Sequence, residues 1–416
     1  MSMDQQGDTQ IPKWISAYLF EDLLKNQVKD YSKIKSFSSK AALAPGENFA
    51  TIMLRITIEV LLNGGKTKTI SYMLKLPHQT EIFEKMNEKL NMFDIERNAY
   101  HNIIPELEEL YKTVGLDVTF GAKCFEFKGV KSDYLLLEDL QPRGFKNTNR
   151  LDGLNQEHVK RVLHKLAQWH AASAVRVSTK GPYEVNMTCG YLKEENREMM
   201  MAMGKEFSKN FVQCCATYDG NEAYIDDVKA LQDKMVSEMF NMAKLDTEEF
   251  NVLNHGDLWS NNIMFKYDAF DQIKEVYFVD YQLPRYGSVA QDLYYFLLSS
   301  TKLEDKLDKF NEYIKYYHDN LVEHLKLLNY SGKIPKLQDI HLSLIKRGMW
   351  GYNAATGVMS VVLLDPNKSA NLDTFFGDSK DAAASIQTLS YSNARYRKHI
   401  QKVLPWLHNR GAMETN

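Results

Sequence analysis

The chain has 416 residues, 44% of them apolar and 25% charged, enough for two or three domains around an ordinary globular core. Only 21 Gly and 10 Pro occur, which excludes a collagen-like, Pro-rich or largely disordered chain. Against 54 Asp and Glu stand 51 Lys and Arg, a formal charge of −3, so composition carries no footprint for nucleic acid or an anionic membrane.

No apolar run reaches the ~18 residues of a membrane span. The opening MSMDQQGDTQ lacks the basic-then-apolar design of a signal peptide. Four Cys (Cys124, Cys189, Cys214, Cys215), none in a CxxC, make no disulfide framework. The glycosylation-type triplets at Asn186, Asn329 and Asn367 then read as idle. The expectation is a cytoplasmic protein with neither nucleic acid nor membrane as partner.

The first ~150 residues read as strands around one helix. Pro45-Gly46-Glu47-Asn48-Phe49 falls between the first two strands. Ala50–Leu61 alternates strictly, with Ile52, Leu54, Ile56, Ile58 and Val60 on one face and Thr51, Met53, Arg55, Thr57 and Glu59 on the other. That is the period of a half-buried strand. Asn63-Gly64-Gly65 supplies turn chemistry and a second strand follows at Thr69–Leu76. Gly64-Gly65-Lys66-Thr67 mimics the end of a Walker A loop. Val60 stands where that motif needs its first Gly, and strands flank it, so it reads as a hairpin turn. A helix is expected over Glu81–Asn102, with further strands at Ala122–Phe127 and Tyr134–Leu137. Past Pro142, Gly144 and Gly153 the period changes. Val159, Val162, Leu163, Leu166, Ala167 and His170 mark a helix over Asn155–Val175. The remainder is mostly helical, broken by short strands near Val252–His255, Ile263–Phe265 and Val276–Val279. The spacing therefore predicts an α+β chain with a small antiparallel-sheet N-lobe (1–140) and a larger helical C-lobe (141–416).

His255-Gly256-Asp257-Leu258-Trp259-Ser260-Asn261-Asn262 sets an Asp and an Asn five apart between two strands. Val279-Asp280-Tyr281-Gln282 then ends an apolar strand in an acid. Phosphoryl transfer needs these types. An Asp accepts the proton of the attacking hydroxyl, and an Asn with a second Asp offers hard oxygens to Mg²⁺ on the nucleotide phosphates. Asp257 is the candidate base; Asn262 and Asp280 are the candidate metal ligands. The spacing follows the HxDxxxxN and DFG logic of kinases, with Asp-Tyr-Gln for Asp-Phe-Gly. Two polar loops between strands are the plain alternative.

That reading makes demands upstream. A strand Lys should hold the α/β-phosphates of ATP, and Lys75 lies on the face opposite Tyr72, Leu74 and Leu76. A helical acid should pair with it. Glu96, with Phe93 and Tyr100 at i−3 and i+4, is the candidate, and Glu84, Glu88 and Asp94 compete. Gly46, Glu47 and Asn48 would cover the phosphates, although one Gly is no GxGxxG. Glu138, Asp139 and Leu140 end a buried strand where a kinase hinge would bind adenine. Asp292, opening a helical run, either anchors the catalytic loop from behind or simply caps its helix. His255 reads as a brace for its loop. Trp259 either braces the loop or touches the substrate. Met199, Met200, Met201, Met203, Phe207 and Phe211 lie on one helical stretch. They are core or a wall for an apolar acceptor, with Lys346, Trp350 and Tyr352 as a fallback region.

Together these residues resemble the aminoglycoside/choline kinase-type phosphotransferases. They resemble more closely the ecdysteroid kinase-like family, also called CHK kinase-like. The likeness rests on Asn254–Phe265, Val279–Gln282 with Asp292-Leu293, Pro45–Asn48 and Lys75-Leu76-Pro77, and spans roughly Phe37–Thr301. Trp259 and the Asp-Tyr-Gln triplet, usually Asp-Phe-Gln or close to it, are its most specific parts. The resemblance implies a two-lobed protein-kinase-like fold. It implies transfer of the ATP γ-phosphoryl group, with Mg²⁺, to a small-molecule hydroxyl, an ecdysteroid-type steroid alcohol by preference. Two rivals are a choline/ethanolamine-type amino-alcohol kinase and a catalytically silent ATP-binding pseudokinase.

Overall fold

The structure is a computed structural model that describes residues 11–42, 51–77, 87–366 and 380–414. The loop expected at Gly46, Glu47 and Asn48 lies outside the described residues, as do Glu84 and the start of the helix expected from Glu81.

Five strands form one antiparallel sheet in the N-terminal region: β1 (Tyr31–Ala41), β2 (Thr51–Leu62), β3 (Thr67–Pro77), β4 (Cys124–Phe125) and β5 (Leu135–Glu138), in the order β1-β2-β3-β5-β4. The expected alternation fixes the register. Leu54 faces Leu74 and Ile58 faces Ile70 across β2 and β3. The hairpin closes with Gly65 at φ +78° and its N–H on Leu62 O, 2.9 Å. Leu54, Ile56, Ile58, Val60, Tyr72 and Leu74 turn to one side and pack with Phe20 and Leu24 of the preceding helical turns. Each such burial contributes about 1.5–3 kcal/mol. The other side of β3 carries Lys75.

The expected helix runs on past Asn102. Met92–Asn98 continues through a π-turn at Ala99–Ile103 into Ile104–Thr113. Pro105 lies just past the expected end. A proline lacks the N–H for a normal helical bond and crowds the preceding turn; the wider π-turn, closed by Ile104 N–H on Ala99 O, precedes it directly. The strand expected over Ala122–Phe127 shrinks to β4, where Cys124 and Phe125 pair in register with Leu137 and Leu136 of β5.

From Gln156 onward the chain is mostly helical. The Gln156–Lys180 helix is capped by the Asn155 side chain, ends at Gly181, and packs along the Phe310–Leu327 helix. Between these lie β7 (Asn251–Asn254), β8 (Ile263–Tyr267), β9 (Ile273–Phe278) and β10 (Arg285–Ser288). β7 pairs with β10, while β6 (Phe145–Lys146), β8 and β9 form a three-stranded sheet. β10 was not among the expected strands. Arg285 is buried with its guanidinium donating to Gln291 Oε1 (2.6 Å) and Ala243 O (3.0 Å). It folds over Gly287, where any Cβ would lie 2.7 Å from Arg285 Nη1. Among the described residues no helix is long and apolar enough to cross a membrane.

Candidate active site

The loop from His255 to Asn262 leaves β7 and enters β8. Gly256 sits at φ +79°, and a Cβ there would fall 1.9 Å from Leu283 O, so only glycine fits. From the helix Ala290–Ser300, Asp292 reaches in with a fully buried carboxylate. Its Oδ2 accepts the His255 N–H (2.6 Å) and its Oδ1 the Gly256 N–H (2.9 Å). His170 Nε2 lies 3.2 Å from Asp292 Oδ2, and Tyr317 OH 2.7 Å from His170 Nδ1. Asp292 is thus the anchor behind the loop rather than only a helix cap. His255 braces from within: its Nδ1 accepts the Asp257 N–H (3.3 Å) and its Nε2 donates to Val279 O (3.1 Å). Burial pushes its pKa down, in keeping with the neutral ring that this pattern requires.

The loop presents Asp257. Asn262 Nδ2 donates to Asp257 O (2.9 Å) and Oδ2 (3.0 Å). Tyr295 OH donates to Asp257 Oδ1. Tyr295 follows Asp292 by one helical turn, and no motif pointed to it. The signal was available only conditionally: if Asp292 faces the loop, the residue at i+3 faces it too.

Across the same cleft, Lys75 Nζ donates to Glu96 Oε2 (2.6 Å) and to Asp280 Oδ1 (2.7 Å). Asp94, one of the competing acids, pairs instead with Arg97 (2.8 Å), and Glu88 is exposed. Asp280 stands at φ +68°, a left-handed position that non-glycine residues rarely take and that clusters at functional sites. Lys75, Glu96, Asp257, Asn262 and Asp280 line one cavity of about 570 Å³.

Burial and charge oppose each other here. Burial works against the Lys75 ammonium, but Asp280 and Glu96 outweigh it and lift Lys75 above the ordinary lysine value. Burial pushes Glu96 up to about 7 against the pull of Lys75. Asp257 is also pushed up to about 7, by burial first and by the charge of Asp280 second; the Tyr295 and Asn262 hydrogen bonds resist.

Glu138, Asp139 and Leu140 line the cavity too. Arg55 of β2 holds Asp139 at 2.8 Å, and Arg143 holds Glu138 at 3.2 Å. Met53, Met73, Leu137, Met264 and Val279 give this end an apolar lining. The lining also includes Asn147, Thr148, Asn149, Arg150 and Leu151, together with Trp259, Gln282, Val358, Val361 and Val362. The methionine-rich helix Arg197–Cys215 is not among these residues. Phe207 packs against the Leu364 and Ile386 pair, as Val361 does, and Phe211 is core against Tyr352 and Tyr391. The fallback region is closed as well: Lys346 pairs with Asp246 and Glu249, while Trp350 lies buried under Arg285. Among the described residues no group of three or more His, Cys, Asp or Glu is poised to hold a metal ion. A Mg²⁺ bound through one carboxylate and substrate phosphates needs no such group.

A buried Lys–Glu pair, a strand-end Asp and a loop Asp–Asn pair around one cleft belong to the class of kinase-like phosphotransferases. The sequence profile of the ecdysteroid kinase-like family matches residues 45–330, and the chain belongs to that family. Among curated proteins none matches the chain.

Proposed function

We propose that the protein transfers the γ-phosphoryl group of ATP to a hydroxyl of a small molecule, within a two-lobed protein-kinase-like fold divided near residue 140. One observation carries this reading: Lys75, bound to both Glu96 and Asp280, faces Asp257 and Asn262 in a single cleft. Lys75 orients the α/β-phosphates, and Glu96 keeps its ammonium in place. The apolar lining from Met53 to Met264 takes adenine beside Glu138, Asp139 and Leu140. The Gly46–Asn48 segment covers the phosphates. Asp257 accepts the proton of the attacking hydroxyl. Asn262 and Asp280 would hold Mg²⁺, which neutralises phosphate charge when bound. Their oxygens suit it: Asn262 spends its Nδ2 on Asp257, leaving Oδ1, and Asp280 spends Oδ1 on Lys75, leaving Oδ2. Catalysis is positioning and charge neutralisation, with no covalent intermediate.

The acceptor we favour is an apolar alcohol of the ecdysteroid type. Val358, Val361, Val362 and Trp259 support it. Among the described residues lining the cleft only Trp259 is aromatic, and Glu96, Glu138 and Asp139 are already paired. A cationic amino-alcohol would want an aromatic cage with a free acid. Free thiols at all four cysteines and the need for ATP suit a cytoplasmic setting.

The test is incubation with labelled ATP, Mg²⁺ and an extract of steroids and polar lipids, with mass identification of the phosphorylated product. Asp257→Asn should lose about 10²–10⁴-fold in turnover while keeping nucleotide affinity. Intact MgATP binding with no product from any alcohol would make the chain a pseudokinase.

A further inference from the structure

A second cavity, of about 1100 Å³, shares only Ala122 and Glu138 with the lining of the first. One wall is the helix Gln156–Lys180. It presents Arg161, His164, Lys165 and Gln168 to the cavity, at i, i+3, i+4 and i+7. That spacing is one face of a helix, and on a helix of this length a polar face ordinarily meets bulk water. Here it meets a facing wall. Tyr100 and His101 of the π-turn and Glu108 and Lys112 of the next helix stand opposite, and π-turns recur at functional sites.

Two buried side chains in this lining lack hydrogen-bond partners. The Tyr100 hydroxyl and the Gln168 Oε1 are each unsatisfied, on residues 3% and 7% exposed. Burial of an unpaired polar atom is unfavourable, and both belong to residues on the wall of this one cavity. Lys165 Nζ donates to Thr119 O (2.9 Å) and sits 5.5 Å over the Phe120 ring. Among the described residues no carboxylate lies within 4.0 Å of it. Burial lowers its pKa to about 8, with Glu108 and Glu275 pulling the other way.

The acids of the lining are mostly spent. Glu138 is held by Arg143, and Glu275 by Lys266 (2.6 Å) and Arg143 (3.4 Å). Glu108 accepts the Phe120 N–H (2.9 Å) and is pushed up by burial. Asp117 is exposed at the rim. Lys123 and Arg161 add exposed cations at the mouth.

We propose that this cavity is a second binding site, for a small phosphate-bearing molecule whose anion meets Arg161 and Lys165. A guanidinium and an ammonium one turn apart on the same face match a doubly charged phosphate better than a single carboxylate. The site does not depend on the reading of the catalytic cleft. Its occupant would lie beside Tyr100, whose ring meets that of Tyr281 edge-on at 5.5 Å, next to Asp280.

The test is calorimetric titration of the full chain with inorganic pyrophosphate as probe. Wild type and Lys75→Met should bind it alike. Lys165→Met should weaken binding at least about tenfold, and Arg161→Glu, an exposed change that leaves packing untouched, by a similar factor. Absence of saturable heat at about 10 mM probe would overturn the proposal. So would wild-type affinity in Arg161→Glu, or loss of binding in Lys75→Met, which would put the probe in the catalytic cleft.

Discussion

Tyr295 holds one oxygen of Asp257 and Asn262 holds the other, so the base is fixed in rotation before any acceptor arrives. A hydrogen bond to a charged group is worth about 1.5–3 kcal/mol. Tyr295→Phe should therefore lower kcat about tenfold or more, with KM for ATP near wild type; steady-state kinetics on the identified acceptor decide it. An unchanged kcat would reduce Tyr295 to packing. The sequence made Asp257, Asn262, Asp280 and Lys75 legible because their spacing follows from a local loop, a strand end and a strand face. Tyr295 was illegible for the opposite reason. In Asp292-Leu293-Tyr294-Tyr295-Phe296 it reads as one more apolar position of a buried helix, and its partner lies 38 residues away. Glu96 stood between these cases: the need for an acid was legible, the choice among four was a matter of helix phase.

At the scale of elements, the loop between β7 and β8 depends on Gly256. A methyl there would strike Leu283 O, and φ +79° is itself strained for any other residue. Gly256→Ala should leave the fold measurable by circular dichroism, lower Tm, and cost more than about 100-fold in activity by displacing Asp257, since misplacement by an ångström has that size of effect. Activity within a few-fold of wild type would mean the loop position is not limiting. The two oxygens offered to Mg²⁺ differ in charge. Asp280→Ala should weaken MgATP binding more than Asn262→Ala in calorimetric titration; equal, wild-type affinities in both would send the metal elsewhere. Element boundaries show where sequence reasoning fails. β2 and β3 were legible from alternation alone. β1 was not delimited: Tyr-Ser-Lys-Ile-Lys-Ser-Phe-Ser-Ser-Lys-Ala is the polar pattern of an edge strand, which Lys and Ser keep from pairing with other chains. The helix beyond Asn102 was missed because a π-turn leaves no mark in hydrophobic periodicity.

At the scale of the whole molecule, one buried cation shapes stability. Lys306 is fully buried, donates to Leu298 O, and among the described residues its ammonium otherwise meets only Met359 Sδ at 3.9 Å. Burial lowers its pKa from 10.5 to about 7. Above that value the folded protein holds a neutral amine, while the unfolded chain stays protonated up to its ordinary value. Between the two the unfolded state binds the extra proton, so stability rises with pH, by up to about 1.4 kcal/mol per unit. Urea unfolding of wild type and Lys306→Met at pH 7 and pH 9 isolates this contribution. The variant should be favoured most at pH 7, and its advantage should shrink at pH 9. A difference that ignores pH would mean Lys306 is charged in the fold. The broad plan, an antiparallel sheet followed by mostly helical chain, was legible because the dominant hydrophobic period shifts near Gly153. The buried cation was not: a Lys in Leu303-Glu304-Asp305-Lys306 looks solvent-facing until tertiary packing closes over it.

The carboxylate of Asp292, with two backbone amides of the loop donating into it, has a thermodynamic side. Those amides belong to a segment without regular structure, yet they are tied to a buried anion that is itself braced by His170 and Tyr317. Fixing a residue's backbone costs about 1–2 kcal/mol in entropy, and here that cost falls on folding. Ligands reach a loop already frozen, so their affinity is not diminished by the work of ordering it.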